Sequence, residues 1–229
     1  SPTIHCGYLY TKRIMLMKKN ALVVLMFGLL VGGFLFLFSR DSFLRFASDR
    51  PYVAGFIKFF FLASIGDLLS SYIKHKKVVL PELFSIRAII WGCIGVLIVL
   101  MFPLYGAGVD HLMDQGLLPF EGDFFKALSV SVLMNFTFGA MMMLGHFTSD
   151  GYLDHFYETK HLGETMKRLD YVSFIRRTFF KVIPFFWIPA HTITFLLPSE
   201  YRVLFAASLG IALGFLLGLT KRMTEHGND

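Results

Sequence analysis

The chain has 229 residues, 55% hydrophobic and 17% charged, with 27 phenylalanines and a mean hydropathy of +0.60. That balance excludes a water-soluble globule. The net charge of +6 comes from short basic clusters between long apolar runs, not from one Lys/Arg-rich face, so nucleic acid is excluded as a partner. Cys6 and Cys93 have no framework or ligand spacing, which removes the disulfide-stapled and zinc-ribbon classes.

A span of about 30 Å of hydrocarbon needs roughly 20 helical residues at about 1.5 Å each. In chain order, residues 1–20 read as a disordered leader, followed by six apolar runs: Ala21 to Phe38, Tyr52 to Ile73, Ala88 to Tyr105, Phe124 to Phe147, Phe179 to Leu197 and Val203 to Thr220. The predicted fold is all-α, a polytopic transmembrane helix bundle of about six spans forming one domain over 21–222, with a C-terminal tail at 223–229. Eighteen apolar residues without a cleavage site make the first run a retained anchor, not a secretory signal. The second run carries Lys58 and Asp67, and the fifth carries Pro184 and Pro189, which membrane helices tolerate when neighbours satisfy the freed carbonyls.

Counting alternate sides tests the six spans. One side receives Lys12, Arg13, Lys18, Lys19, Lys74, Lys76, Lys77, Arg87, Lys160, Lys167, Arg168, Arg176, Arg177, Lys181, Lys221 and Arg222, sixteen in all. The other receives five, Arg40, Arg45, Arg50, Lys126 and Arg202, with Lys58 inside a span. Basic residues accumulate on the side of insertion, so both termini are expected inside, in a bacterial cytoplasmic membrane or an organelle inner membrane. The polar loop from Thr148 to Ser173 repeats apolar residues at near-helical spacing and reads as an interfacial amphipathic helix around 152–170.

Acidic side chains in hydrocarbon cost several kcal/mol unless paired or wetted, which makes Asp67 a functional candidate by default. It shares a helical face with Ser64 and Ser71. The rival reading pairs it with Lys74, Arg87 or Arg202 to lock two helices. In the fifth run, His191 and Thr194 project together from a helix opened by two prolines. Asn135 and Thr137 supply polar groups in the fourth. Pore-lining candidates are therefore Asp67, Ser64, Asn135, His191 and Thr194, with hydrogen bonding between helices as the competing use.

In the sixth run Ala206, Gly210, Gly214 and Gly218 fall four apart, a smooth groove for close helix packing. Its partner is another span of the chain or, as the alternative, a second copy in a homo-oligomer. Nucleophile-elbow, zinc-peptidase, P-loop and dinucleotide motifs are missing from the sequence, and His155, Glu158 and His161 read as a solvated face. The chain is read as a non-enzyme with no cofactor, no catalytic residue and no metal, its partners being the lipid bilayer and small solutes.

The order of motifs resembles the Mpv-seventeen family of small peroxisomal and inner-mitochondrial membrane proteins. Pro51 with Gly66-Asp67, Arg87 with Gly92, Asp114-Gln115 with Pro119, and the series Trp187, Pro189, His191, Thr194, Phe195, Pro198, Tyr201 and Arg202 carry the likeness from about Pro51 to Gly218. Gly106-Ala107-Gly108 stands where the family has His-x-Trp-Tyr, and His191 and Thr194 replace its Gln and Asn. The resemblance implies an all-helical membrane protein forming a weakly selective channel for small solutes. The competing expectation is a structural or scaffold protein.

Overall fold

A computed structural model describes residues 40–75, 81, 83–156, 158 and 161–226. Among them the secondary structure is entirely helical. Helix α1 is Arg40–Asp49, α2 Pro51–His75, α3 Phe84–Asp114, α4 Asp123–Met134, α5 Ala140–Asp154, α6 Leu162–Arg168, α7 Tyr171–Arg177, α8 Ile188–Leu196 and α9 Ser199–His226. A π-helical segment, Asn135–Gly139, joins α4 to α5, and a second, Thr178–Trp187, joins α7 to α8. Four helices among the described residues are long and apolar enough to cross a membrane: Pro51–Leu69, Phe84–Asp114, Asp123–Asp154 and Tyr171–Leu196. This is consistent with an integral membrane protein.

These four match the second to fifth expected runs. The first run, Ala21 to Phe38, and the leader lie outside the described residues, and the sixth falls within α9. Large apolar side chains face outward, Met141 at 75%, Phe180 at 73% and Phe185 at 80% exposure, which suits lipid and not water.

Both π segments coincide with local irregularities. Asn135 Nδ2 donates to Ser131 O at 2.8 Å and Thr137 Oγ1 to Leu133 O at 2.5 Å. Side-chain donors thus add to the carbonyls one turn back, Ser131 O still accepting the Asn135 backbone N–H as well, at the point where the turn widens. In the other segment Pro184 has no N–H to give and its ring crowds the preceding turn.

At one end of the bundle α3 closes on Gln115, and Gly116 at φ 66° takes the left-handed position where a Cβ is unfavourable. Gly122, at φ 100°, precedes α4. The same end carries the α8 to α9 turn at Pro198, while the end of α2, the start of α3 and the end of α5 lie at the opposite end. We call these the Pro198 end and the Arg87 end. Ion pairs fix the antiparallel sense of α3 against the α4–α5 rod: Asp110 with Lys126 at the Pro198 end, Arg87 with Asp154 at the other.

Helix α2 packs between α3 and α9. A Cβ on Gly66 would lie 2.6 Å from Gly210 O, and one on Gly95 would overlap Gly55 O, so both contacts bring backbone against backbone. Ala206 is buried and Gly210 lies against Ala63, so this part of the small-residue face meets α2 of the same chain. The surroundings of Gly214 and Gly218 lie outside the described residues. The core joins Phe59, Ile94, Ile98, Phe102, Val130, Met134 and Phe195 from four helices.

The interfacial helix expected around 152–170 is not a single element. Helix α5 continues through Asp154, and only Leu162–Arg168 forms a separate seven-residue helix. The chain folds back instead of running on, so that Leu169 fills the space over Gly151, where a Cβ would lie 2.6 Å from Leu169 Cδ2. Asp170 caps α7 by accepting the Ser173 N–H at 3.0 Å. Hydrogen bonds from the Ser173 side chain and backbone hold its carboxyl below the usual carboxylate range.

Candidate functional site

The α4–α5 rod carries polar side chains toward the bundle interior at three levels. At the Arg87 end, the buried Arg87 guanidinium forks between two carboxylates one turn apart on α5. Its Nη1 donates to Asp150 Oδ1 at 2.7 Å and its Nη2 to Asp154 Oδ1 at 2.6 Å. Like charges at i and i+4 repel, and one planar cation between them relieves that repulsion. One turn deeper, His146 Nε2 lies 3.4 Å from Asp150 Oδ2, and its ring sits 4.1 Å from that of Trp91. Trp91 Nε1 in turn donates to Asp67 Oδ2 at 2.9 Å. Helices α2, α3 and α5 are thereby tied through one chain of contacts, in which His146 Nδ1 is buried without a partner among the described residues.

At the middle level, Asn135 Oδ1 and His191 Nδ1 are 3.0 Å apart, both buried. The Asn135 amide N donates to a carbonyl, so its oxygen faces the imidazole and can only accept. His191 Nδ1 therefore carries the proton. Ser131 Oγ donates across the interface to Ile188 O at 2.8 Å, a carbonyl that also accepts from Thr192 Oγ1 at 2.7 Å. The His191 ring stacks on Trp187 at 5.2 Å, beside a cavity of about 20 Å³ lined by Phe102, Asn135, Phe138, Met142, Trp187 and His191. That is room for about one water molecule. Nearby, Tyr105 Oη and Thr137 Oγ1 are 2.6 Å apart.

At the Pro198 end a larger cavity, about 380 Å³, lies between α3, α4 and the α8 to α9 turn, with Asp123, Lys126, Phe195, Leu197 and Arg202 among its lining residues. Pro198 ends α8 and leaves Leu197 extended, and Arg202 Nε reaches back to Leu197 O at 2.8 Å, so the turn itself aims the guanidinium.

The sequence-derived candidates are thus divided. Asn135 and His191 come together at mid-bundle, whereas Asp67 belongs to the Arg87 end and accepts from Trp91; among the described side chains neither Arg87 nor Arg202 forms an ion pair with it, and the Lys74 side chain lies outside them. Ser64 and Thr194 are buried, and their hydroxyls donate within their own helices, to Phe60 O and Ala190 O. Sequence reasoning missed Trp91, His146, Asp150 and Asp154 as site residues. Ending the fourth span at Phe147 placed the last two in a loop, although His146, Asp150 and Asp154 recur at i, i+4, i+8, the spacing of one helical face.

Neither a protein-family model nor a curated protein nor a solved structure matches this chain.

Proposed function

We propose that the protein carries small solutes across the membrane, as the resemblance to the Mpv-seventeen family implies, and that it does so as a carrier and not as a continuously open pore. The observation that supports this is the polarity of the rod: a cavity at the Pro198 end, and at the Arg87 end a buried guanidinium locked between Asp150 and Asp154. Ionisable groups inside a membrane bundle mark solute or ion paths by default, and an ion-paired cluster with discrete arrangements is a natural gate. Asn135 and His191 lie between the two ends.

Flux through liposomes holding the purified full chain tests the reading. Solute uptake above that of protein-free vesicles is expected, and the Asp150→Asn, Asp154→Asn double variant, which weakens the lock, should change its rate. Absence of uptake for a panel of small ions, amino acids and sugars overturns it. A structural role is the second reading. It is favoured by the hydroxyls of Ser64 and Thr194 being bonded to their own helices and by Asp67, Asn135 and His191 each having a protein partner.

A further inference from the structure

The cavity at the Pro198 end presents one cation and one anion that have no ionic partner among the described residues. Lys126 is neutralised by Asp110 at 2.5 Å. Arg202 and Asp123, which line the same cavity, pair neither with each other nor with another charged group among the described residues. One of the five Arg202 N–H groups is spent on Leu197 O, and the guanidinium carbon lies 5.9 Å from the Phe195 ring centroid. This anchors the planar group and leaves its other donors for a ligand. Ala127, Val130, Phe195 and Leu196 supply apolar wall. The volume falls within the usual range for small-molecule pockets, about 300–1,000 Å³.

We infer that this cavity binds a zwitterion, its carboxylate or phosphate on Arg202, its ammonium toward Asp123 and its apolar part against Phe195 and Val130. A simple anion would meet the Asp123 carboxylate and a simple cation the Arg202 guanidinium, whereas a molecule bearing both charges satisfies both walls. The same chemistry is offered by free amino acids and by the phosphoethanolamine headgroup of a lipid. As a statement about the transported substrate, the inference rests on the carrier reading; as a statement about binding, it stands separately.

The full chain in nanodiscs of phosphatidylglycerol alone would be titrated with leucine, phenylalanine and phosphoethanolamine, and with the single-charge analogues leucinamide and isocaproate, with the shift in melting temperature as the readout. Stabilisation by leucine or phenylalanine is expected. It should weaken roughly tenfold or more in apparent affinity for Arg202→Gln, which loses a charge-assisted fork, and should weaken also for Asp123→Asn, which leaves the Leu197 contact untouched. Stabilisation by phosphoethanolamine alone, with the same losses, keeps the zwitterion and assigns it to lipid. Isocaproate or leucinamide binding as well as leucine, unchanged affinity in both variants, or no response to any of the three zwitterions overturns the proposal. If Arg202→Gln fails to fold, Asp123→Asn with the analogue series decides alone. Leucine binding without flux sinks the carrier reading and leaves the site, whereas flux indifferent to both variants does the reverse.

Discussion

Trp91 donates its indole N–H to Asp67 across 2.9 Å, joining α3 to the acidic group that the sequence marks as the most costly in the second span. The contact is a neutral donor on an acid, so Asp67→Asn keeps an acceptor oxygen for the indole and should melt near the parent. Asp67→Leu removes the acceptor and should cost about 1 kcal/mol by leaving the half-buried indole N–H unpaired. Thermal unfolding in detergent of the two variants checks this, and equal melting temperatures would show that the indole bond contributes nothing.

Gly66 and Gly210 face each other, yet the two positions are unequal. An alanine at 66 drives its methyl into the Gly210 carbonyl, whereas one at 210 meets Ala63 Cα at 3.4 Å and Cβ at 3.6 Å, ordinary contact. Gly66→Ala should therefore destabilise by about 1–3 kcal/mol and Gly210→Ala by clearly less. The order of their melting temperatures is the measurement, and a reversed order would contradict the α2 to α9 packing.

Asn135 and His191 should be energetically coupled. Asn135→Ala leaves the His191 N–H without its acceptor, while His191→Phe leaves the Asn135 oxygen without its donor. The double variant loses both and should restore part of the stability, with a coupling of about 0.5–3 kcal/mol in a double-mutant cycle. Additive effects would mean that the pair does not interact.

The uneven basic residues make sidedness a testable expectation. Engineered cysteines at Glu121 and Glu200, both exposed at the Pro198 end, should react with an impermeant reagent on intact vesicles, and one at Arg168 should not. Both native cysteines, Cys6 and the exposed Cys93, must first be replaced. Outside labelling at Arg168 would contradict the expected orientation.

Hydropathy marked the four long apolar helices found among the described residues because a helix that crosses lipid must be apolar over about 20 residues, a requirement that holds whatever it packs against. It stopped short at the polar end of α5: Asp150 reads as a loop residue and Asp154 as part of an interfacial helix, because nothing local announces that Arg87, distant in sequence, lies between them. Asn135 and His191 were both legible as polar residues in apolar surroundings, but their meeting was not. It depends on how two rods cross, and each rod is reshaped by a π segment. The small-residue face of α9 could be read from spacing alone, whereas its neighbour, α2, required the fold. After Asp154 the structure departs from a single interfacial helix because the apolar residues at helical spacing include Leu169, which packs back onto Gly151 instead of extending the same helix.

The π turn at Asn135–Gly139 holds one more residue than an α-helical turn would. Each residue of a regular helix advances its direction by about 100°, so that single residue sets the angular phase of everything after it on the rod. Deleting one residue between 135 and 139 would straighten the helix yet swing His146, Asp150 and Asp154 about a quarter-turn away from Trp91 and Arg87. The spacing between the mid-bundle pair and the Arg87 end is thus set by residue count as much as by residue identity. A chain that shares these side chains but lacks the extra position would not assemble the same cluster.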